Sequence, residues 1–136
     1  MLMNTYLFFD GRCAEAFRFY EQLLGGQIEF MQKAGETPER DRLPPEQHDS
    51  IMHVRMRVGD QVLMGSDAPS PHFEKPQGFF VSLQIDEPAE AERIFNGLSE
   101  GAEVRMPLQK TFWAGRFGML VDRFGTPWMV NCEKGD

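Results

Sequence analysis

One supersecondary pattern occurs twice in this chain, and that repeat limits its fold more than any other feature. The aromatic stretch Tyr6-Leu7-Phe8-Phe9 is followed by Asp10-Gly11, then by Cys13, Ala16, Phe17, Tyr20, Leu23 and Leu24 at steps of three and four. That spacing makes one apolar face of an amphipathic helix, with Asp10 placed to cap it. Gly25-Gly26 ends the helix as a left-handed C-cap requires. Strand patterns follow at residues 27–32, 50–58 and 61–65, with a polar, proline-bearing loop at 34–49. The order is β-α-β-β-β. It recurs as a strand at 78–85, a helix opened by Pro88 with apolar face Ala91, Ile94, Phe95 and Leu98, and strands at 103–107, 117–121 and 126–132. A unit that cannot bury its own sheet face pairs with its copy. The expectation is an α+β domain of two paired β-α-β-β-β modules whose curved mixed sheets surround a concave cup. Module one spans 1–66, a proline-bearing linker 67–77, and module two 78–133.

The end of module two carries the most distinctive stretch, from Thr111 to Asn131. Asp122-Arg123-Phe124-Gly125 has the composition of a type I turn, with Asp first and Gly fourth. Pro127 cannot donate to a ladder, so it belongs at the beginning of the return strand. Trp113 lies in the loop before this hairpin and Trp128 within it.

The net charge of −7, with no block of Lys or Arg, argues against nucleic-acid or anionic-membrane partners. No apolar run reaches the length of a membrane span, and residues 1–9 lack a basic n-region and a cleavage site. Cys13 and Cys132 are therefore expected as free thiols in a reducing cytoplasm. Twelve Phe and nine Met suggest a core or cavity wall of large, adaptable side chains. Cys13 sits on the apolar helix face and is expected to be an inert buried thiol.

These residues resemble a family. Tyr6-Leu7-Phe8-Phe9-Asp10-Gly11, Phe19-Tyr20, Leu24-Gly25-Gly26, Val62-Leu63-Met64-Gly65-Ser66-Asp67 and the Thr111–Asn131 stretch look like the PhnB-like branch of the vicinal oxygen chelate superfamily. That superfamily holds glyoxalase I, extradiol dioxygenases, and bleomycin and fosfomycin resistance proteins. The branch often carries the label 3-demethylubiquinone 3-methyltransferase. The resemblance implies the glyoxalase/bleomycin resistance fold and a homodimer. It also implies metal ligands on the first and last strands of each module, near Thr5 (Asn4 or Tyr6 if the register slips) and at Met64, Phe80 and Met129. Phenyl offers no lone pair and thioether suits soft ions, so no metal and no other cofactor is expected. His48, His53 and His72 read as solvent-facing or supporting histidines. No phosphate loop or dinucleotide fingerprint is present, and the Gly-rich strand–helix turn of an adenosylmethionine site is missing.

The expected ligand is a small molecule. Met64, Phe80 and Met129 would line the cup, with Phe112 and Trp113 over its mouth and Gln109 and Asn131 orienting the ligand. Arg116 would meet an anionic group. Asp67, after the fourth strand, has two readings: a turn cap, or a general base facing the ligand. Binding without catalysis is the first expectation, with an enzyme using Asp67 as the alternative. A metal-dependent lyase or dioxygenase is the least favoured.

Overall fold

Each module lays its first strand parallel to its last, which brings the two ends of the repeat together. The computed structural model describes residues 1–68 and 71–135. Pro69 and Ser70, within the expected linker 67–77, lie outside the described residues. The chain forms two units, Met1–Glu74 and Lys75–Asp136.

In the first unit, β1 (Thr5–Phe9), α1 (Cys13–Leu24), β2 (Gln27–Lys33), β3 (Ile51–Val58) and β4 (Gln61–Asp67) follow in order. The sheet runs β1-β4-β3-β2, with β1 parallel to β4 and the other pairs antiparallel. In the second, β5 (Val81–Gln84), α2 (Pro88–Ser99), β6 (Glu103–Gln109), β7 (Arg116–Val121) and β8 (Pro127–Cys132) repeat that topology as β5-β8-β7-β6. The α+β fold of two β-α-β-β-β modules is thus the one the repeat implied.

Each helix covers one face of its own sheet. On α1, Cys13, Ala16, Phe17 and Tyr20 are fully buried, as are Leu7, Phe9, Val54 and Met56 on the strands. The Phe9 and Phe17 rings meet edge to face at 6.0 Å. Gly65 lets Phe17 settle on the sheet, since a Cβ there would stand 2.8 Å from that ring. On α2, Ala91, Ile94, Phe95 and Leu98 are buried, and Gly118 of β7 makes the matching room for Phe95.

Local chemistry departs from expectation at three places. Asp10 does not cap α1; the N-cap position falls on Arg12, whose side chain makes no capping bond. The segment 34–49 is organised by three short 3-10 turns, Ala34–Glu36, Pro38–Arg42 and Pro45–Gln47. His48 Nε2 lies 2.9 Å from the Arg40 carbonyl and 3.1 Å from that of Leu43, so this histidine ties the segment together. And β4 runs on through Asp67, taking the first residue assigned to the linker.

The hairpin turn is built as its composition suggested. Gly125, with φ of 96°, donates its N–H to the Asp122 carbonyl at 2.9 Å. The buried Asp122 carboxylate accepts from Phe124 N–H, Thr126 N–H and, at 2.8 Å, the indole N–H of Trp128. Three donors offset the cost of burying that charge.

Candidate functional site

Strand alternation decides which side chains of module two turn away from α2. Gly118 meets Phe95, so Leu120 on the same strand, and Val130 and Trp128 opposite them, share the helix face. The intervening residues form the other face, and pairing arranges them in two rows. One row reads Gln109–Phe117–Asn131–Gln84 across β6, β7, β8 and β5. The next reads Met106–Met119–Met129–Ser82.

Trp113 belongs to this face. Thr111 N–H donates to the Ala114 carbonyl and Ala114 N–H to Thr111 Oγ1, closing a tight turn before β7. That turn sets the Trp113 ring 5.3 Å from Phe117, with Phe112 a further 4.7 Å from Trp113. Trp113 is 49% exposed and Phe112 96%. The row is thus an aromatic pair flanked by amides. Asn131 donates Nδ2–H to Gln84 Oε1 at 2.7 Å, while its Oδ1, buried in a side chain only 9% exposed, has no partner among the described residues. An orphaned buried acceptor costs on the order of 1–3 kcal/mol until a donor reaches it. At the Gln84 end opens a cleft of about 570 Å³, lined also by Ile85, Asp86, Glu87, Glu133 and Lys134.

Six of the nine expected site residues are therefore placed as follows. Gln109, Trp113, Met129 and Asn131 share the face just described, and Phe112 touches it through Trp113. Phe80 lies just before β5, two residues from Ser82, with the Arg105 guanidinium 6.0 Å from its ring. The remaining three are corrected or lie elsewhere. Arg116 is one residue from Phe117 and so turns toward α2, where its Nε donates to Glu92 at 3.1 Å. Met64 lies in module one, on the face turned away from α1, paired with Tyr6 and Arg55.

Asp67 is the fuller correction. Its Oδ1 accepts from Gly11 N–H at 3.0 Å and Cys13 N–H at 3.1 Å, and its Oδ2 from Ile51 N–H at 2.9 Å. Both oxygens serve main-chain amides, so the general-base role loses its geometry. It is a cap for the start of α1.

Gln84, Ser82, Met106 and Met119 were missed. Alternation over Phe80-Val81-Ser82-Leu83 carries the signal for the first two, since it puts 82 and 84 on one face.

The family's metal positions can now be tested on register. In module one the first-strand partner of Met64 is Tyr6, and in module two that of Met129 is Ser82. A phenol, a hydroxyl and two thioethers supply no anionic or imidazole donor, and thioether sulfur prefers soft ions. Among the described residues, no three His, Cys, Asp or Glu side chains gather where they could hold an ion. These residues do not fit a divalent metal of the Zn or Mn kind.

Comparison with known proteins follows the same lines. The 3-demethylubiquinone-9 3-methyltransferase family model matches residues 2–131. Protein YjdN of Escherichia coli K12 is 32% identical over 142 residues, covering 98% of this chain and 97% of that protein. The crystal structure of PA1353 from Pseudomonas aeruginosa is 48% identical, with a TM-score of 0.87 and 98% of each chain covered. A PhnB protein from Bacillus cereus shares the fold at 22% identity and a TM-score of 0.82, covering 97% of this chain and 99% of that one. The chain thus belongs to the 3-demethylubiquinone-9 3-methyltransferase family.

Proposed function

We propose that this protein binds a small molecule without a metal, on the face of the second sheet turned away from α2. One observation carries the reading: Asn131 Oδ1 is a buried acceptor without a donor, in a row where Phe117 and Trp113 offer an aromatic wall. A flat ligand with an N–H or O–H group satisfies both, its ring on Trp113 and its donor on Asn131. The thioethers of Met119 and Met129 give an adaptable floor. The methyl transfer in the family's name has no support here, because neither β1–α1 nor β5–α2 carries a glycine-rich cofactor turn.

The test is a thermal-shift screen of small metabolites, since a ligand that binds the folded state raises its stability by mass action. Calorimetry of any hit then compares the native chain with Trp113→Ala. Loss of the ring is expected to weaken binding by ~1–3 kcal/mol. Unchanged affinity would move the site off this face. Elemental analysis should find less than about 0.1 equivalent of Zn, Ni, Fe or Mn on the purified protein. Stoichiometric metal that survives a weak chelator would refute metal independence.

The assembly we propose is a two-fold homodimer with self-complementary contacts, and monomer mass by light scattering at high concentration would rule it out. A cytoplasmic setting is supported by Cys13 and Cys132, both free and buried. No helix among the described residues is long and apolar enough to cross a membrane.

A further inference from the structure

Module one exposes a second surface of different chemistry. Leu7, Phe9, Val54, Met56 and Gly65 face α1, so alternation turns Tyr6, Phe8, His53, Arg55, Arg57 and Met64 the other way. Pairing sets Tyr6, Met64, Arg55 and Phe30 in one row across the sheet. His53 reaches both aromatic ends of it. Its ring stacks on Tyr6 at 5.7 Å and 22°, and lies 5.8 Å from Phe30. Phe8 extends the arc at 5.2 Å from Tyr6. These aromatics stay uncovered: Phe8 is 50% exposed, Phe30 45% and Tyr6 37%.

Beside the rings stands a cationic group. Arg55 and Arg57 each direct Nε to a different oxygen of Glu29, both at 3.0 Å. Two guanidinium groups against one carboxylate leave a local positive charge on a chain whose net charge is −7. Their terminal nitrogens have no partner among the described residues. Tyr6 Oη lies 3.1 Å from His53 Nδ1. With the phenol as donor, the neutral imidazole keeps its proton on Nε2, which is then a further donor on the same face.

We propose that this face is a recognition site for a planar aromatic carboxylate, with Arg55 and Arg57 holding the carboxylate and Tyr6, His53 and Phe30 stacking on the ring. A guanidinium edge matches a carboxylate bidentately, which a neutral analogue cannot reproduce. Offset rings at these spacings accept a flat third ring and discriminate against a saturated one. The local positive charge steers an anion to a surface that the rest of the chain repels. All the residues belong to module one, so Trp113→Ala distinguishes this proposal from the reading of the module-two face.

The probe is naphthoate, titrated into the full chain and followed by amide-resolved NMR, with naphthamide and cyclohexanecarboxylate as controls. Naphthoate should shift the signals of Phe30, His53, Arg55 and Arg57, and bind roughly ten-fold or more tightly than either control, the scale of one charge-assisted contact. The double variant Arg55→Gln with Arg57→Gln should lose that preference, whereas Trp113→Ala should keep it. Equal binding of naphthoate and naphthamide to the native chain would overturn the proposal. So would shifts confined to module two, or none at millimolar naphthoate, the result expected if a second protein chain is the true occupant.

Discussion

Asp67 Oδ1 accepts the main-chain N–H of Cys13 at 3.1 Å, across 54 residues of sequence. The first turn of α1 is thus capped from the end of β4. Because the same carboxylate holds Gly11 N–H and Ile51 N–H, it fixes three segments at once: the turn before the helix, the helix start and the beginning of β3. A carboxylate aimed at orphan helix amides also complements the positive end of the helix dipole.

That arrangement makes Asp67→Asn a stability variant and not an activity variant. Asn keeps one carbonyl oxygen but sets an amide donor against a main-chain N–H. The expected loss is about 1–3 kcal/mol in urea unfolding, with affinity at the module-two face unchanged. A variant as stable as the native chain would show that the three bonds contribute nothing net.

Cys13 follows from the same contact. Burial first, and then the negative charge of Asp67, push its thiol well above the ordinary value of 9.0. The folded state therefore keeps the proton where the unfolded chain loses it. Above about pH 9 the unfolded state binds fewer protons, so stability should fall as pH rises, and be unaffected by this group below that. Cys13→Ala should flatten the alkaline decline. Maleimide should leave Cys13 unlabelled in the native protein at neutral pH and label it only on unfolding.

At the acid end, hydrogen bonds from Arg57 and then Arg55 hold the Glu29 carboxyl below its ordinary 4.5. A depressed carboxyl contributes stability that is present above the unfolded value and lost as pH falls through the lower, folded one. Glu29 is solvent-exposed, so the effect is small and screened by salt. Glu29→Gln should slightly reduce the slope of stability against pH below about 4.5. An unchanged acid limb would mean that the two arginines do not hold this carboxylate in solution.

What the sequence made legible was what local periodicity controls. Both helices bury the faces that their three- and four-residue spacing marked, and the Asp122–Gly125 turn forms as its composition required. The errors share a different cause. Adjacency in sequence points to Asp10 as the cap, whereas the acceptor comes from a strand 54 residues on. The resemblance puts a ligand position of the first strand of module two at Phe80, whereas β5 spans only Val81–Gln84 and its pairing with β8 sets Ser82 opposite Met129. Arg116 could have been excluded by alternation alone, since Phe117 next to it takes the other face. The Gln109–Phe117–Asn131–Gln84 row needs four strands in register, which no single stretch of the chain displays.

The assignment of that row rests on Gly118, and this can be tested directly. A Cβ at Gly118 would stand 2.6 Å from Phe95 Cε2 and 3.0 Å from the Leu108 Cα. The first contact is below any real Cβ separation, and the second involves main chain, so neither the ring nor the strand yields cheaply. Phe95 is itself buried between α2 and the sheet, with Leu98 and Ile94 beside it. Overpacking of this kind costs ~1–3 kcal/mol, so Gly118→Ala should be destabilising and should leave the ligand face chemically intact. Met119, one residue on, faces the other way. Met119→Ala removes part of the proposed floor, so it should weaken ligand binding more than Gly118→Ala does when both are compared below their unfolding transitions. Urea unfolding and calorimetry on the two variants separate the faces. If Gly118→Ala were tolerated and Met119→Ala left binding unchanged, the two faces of β7 would have to be exchanged and the candidate site with them.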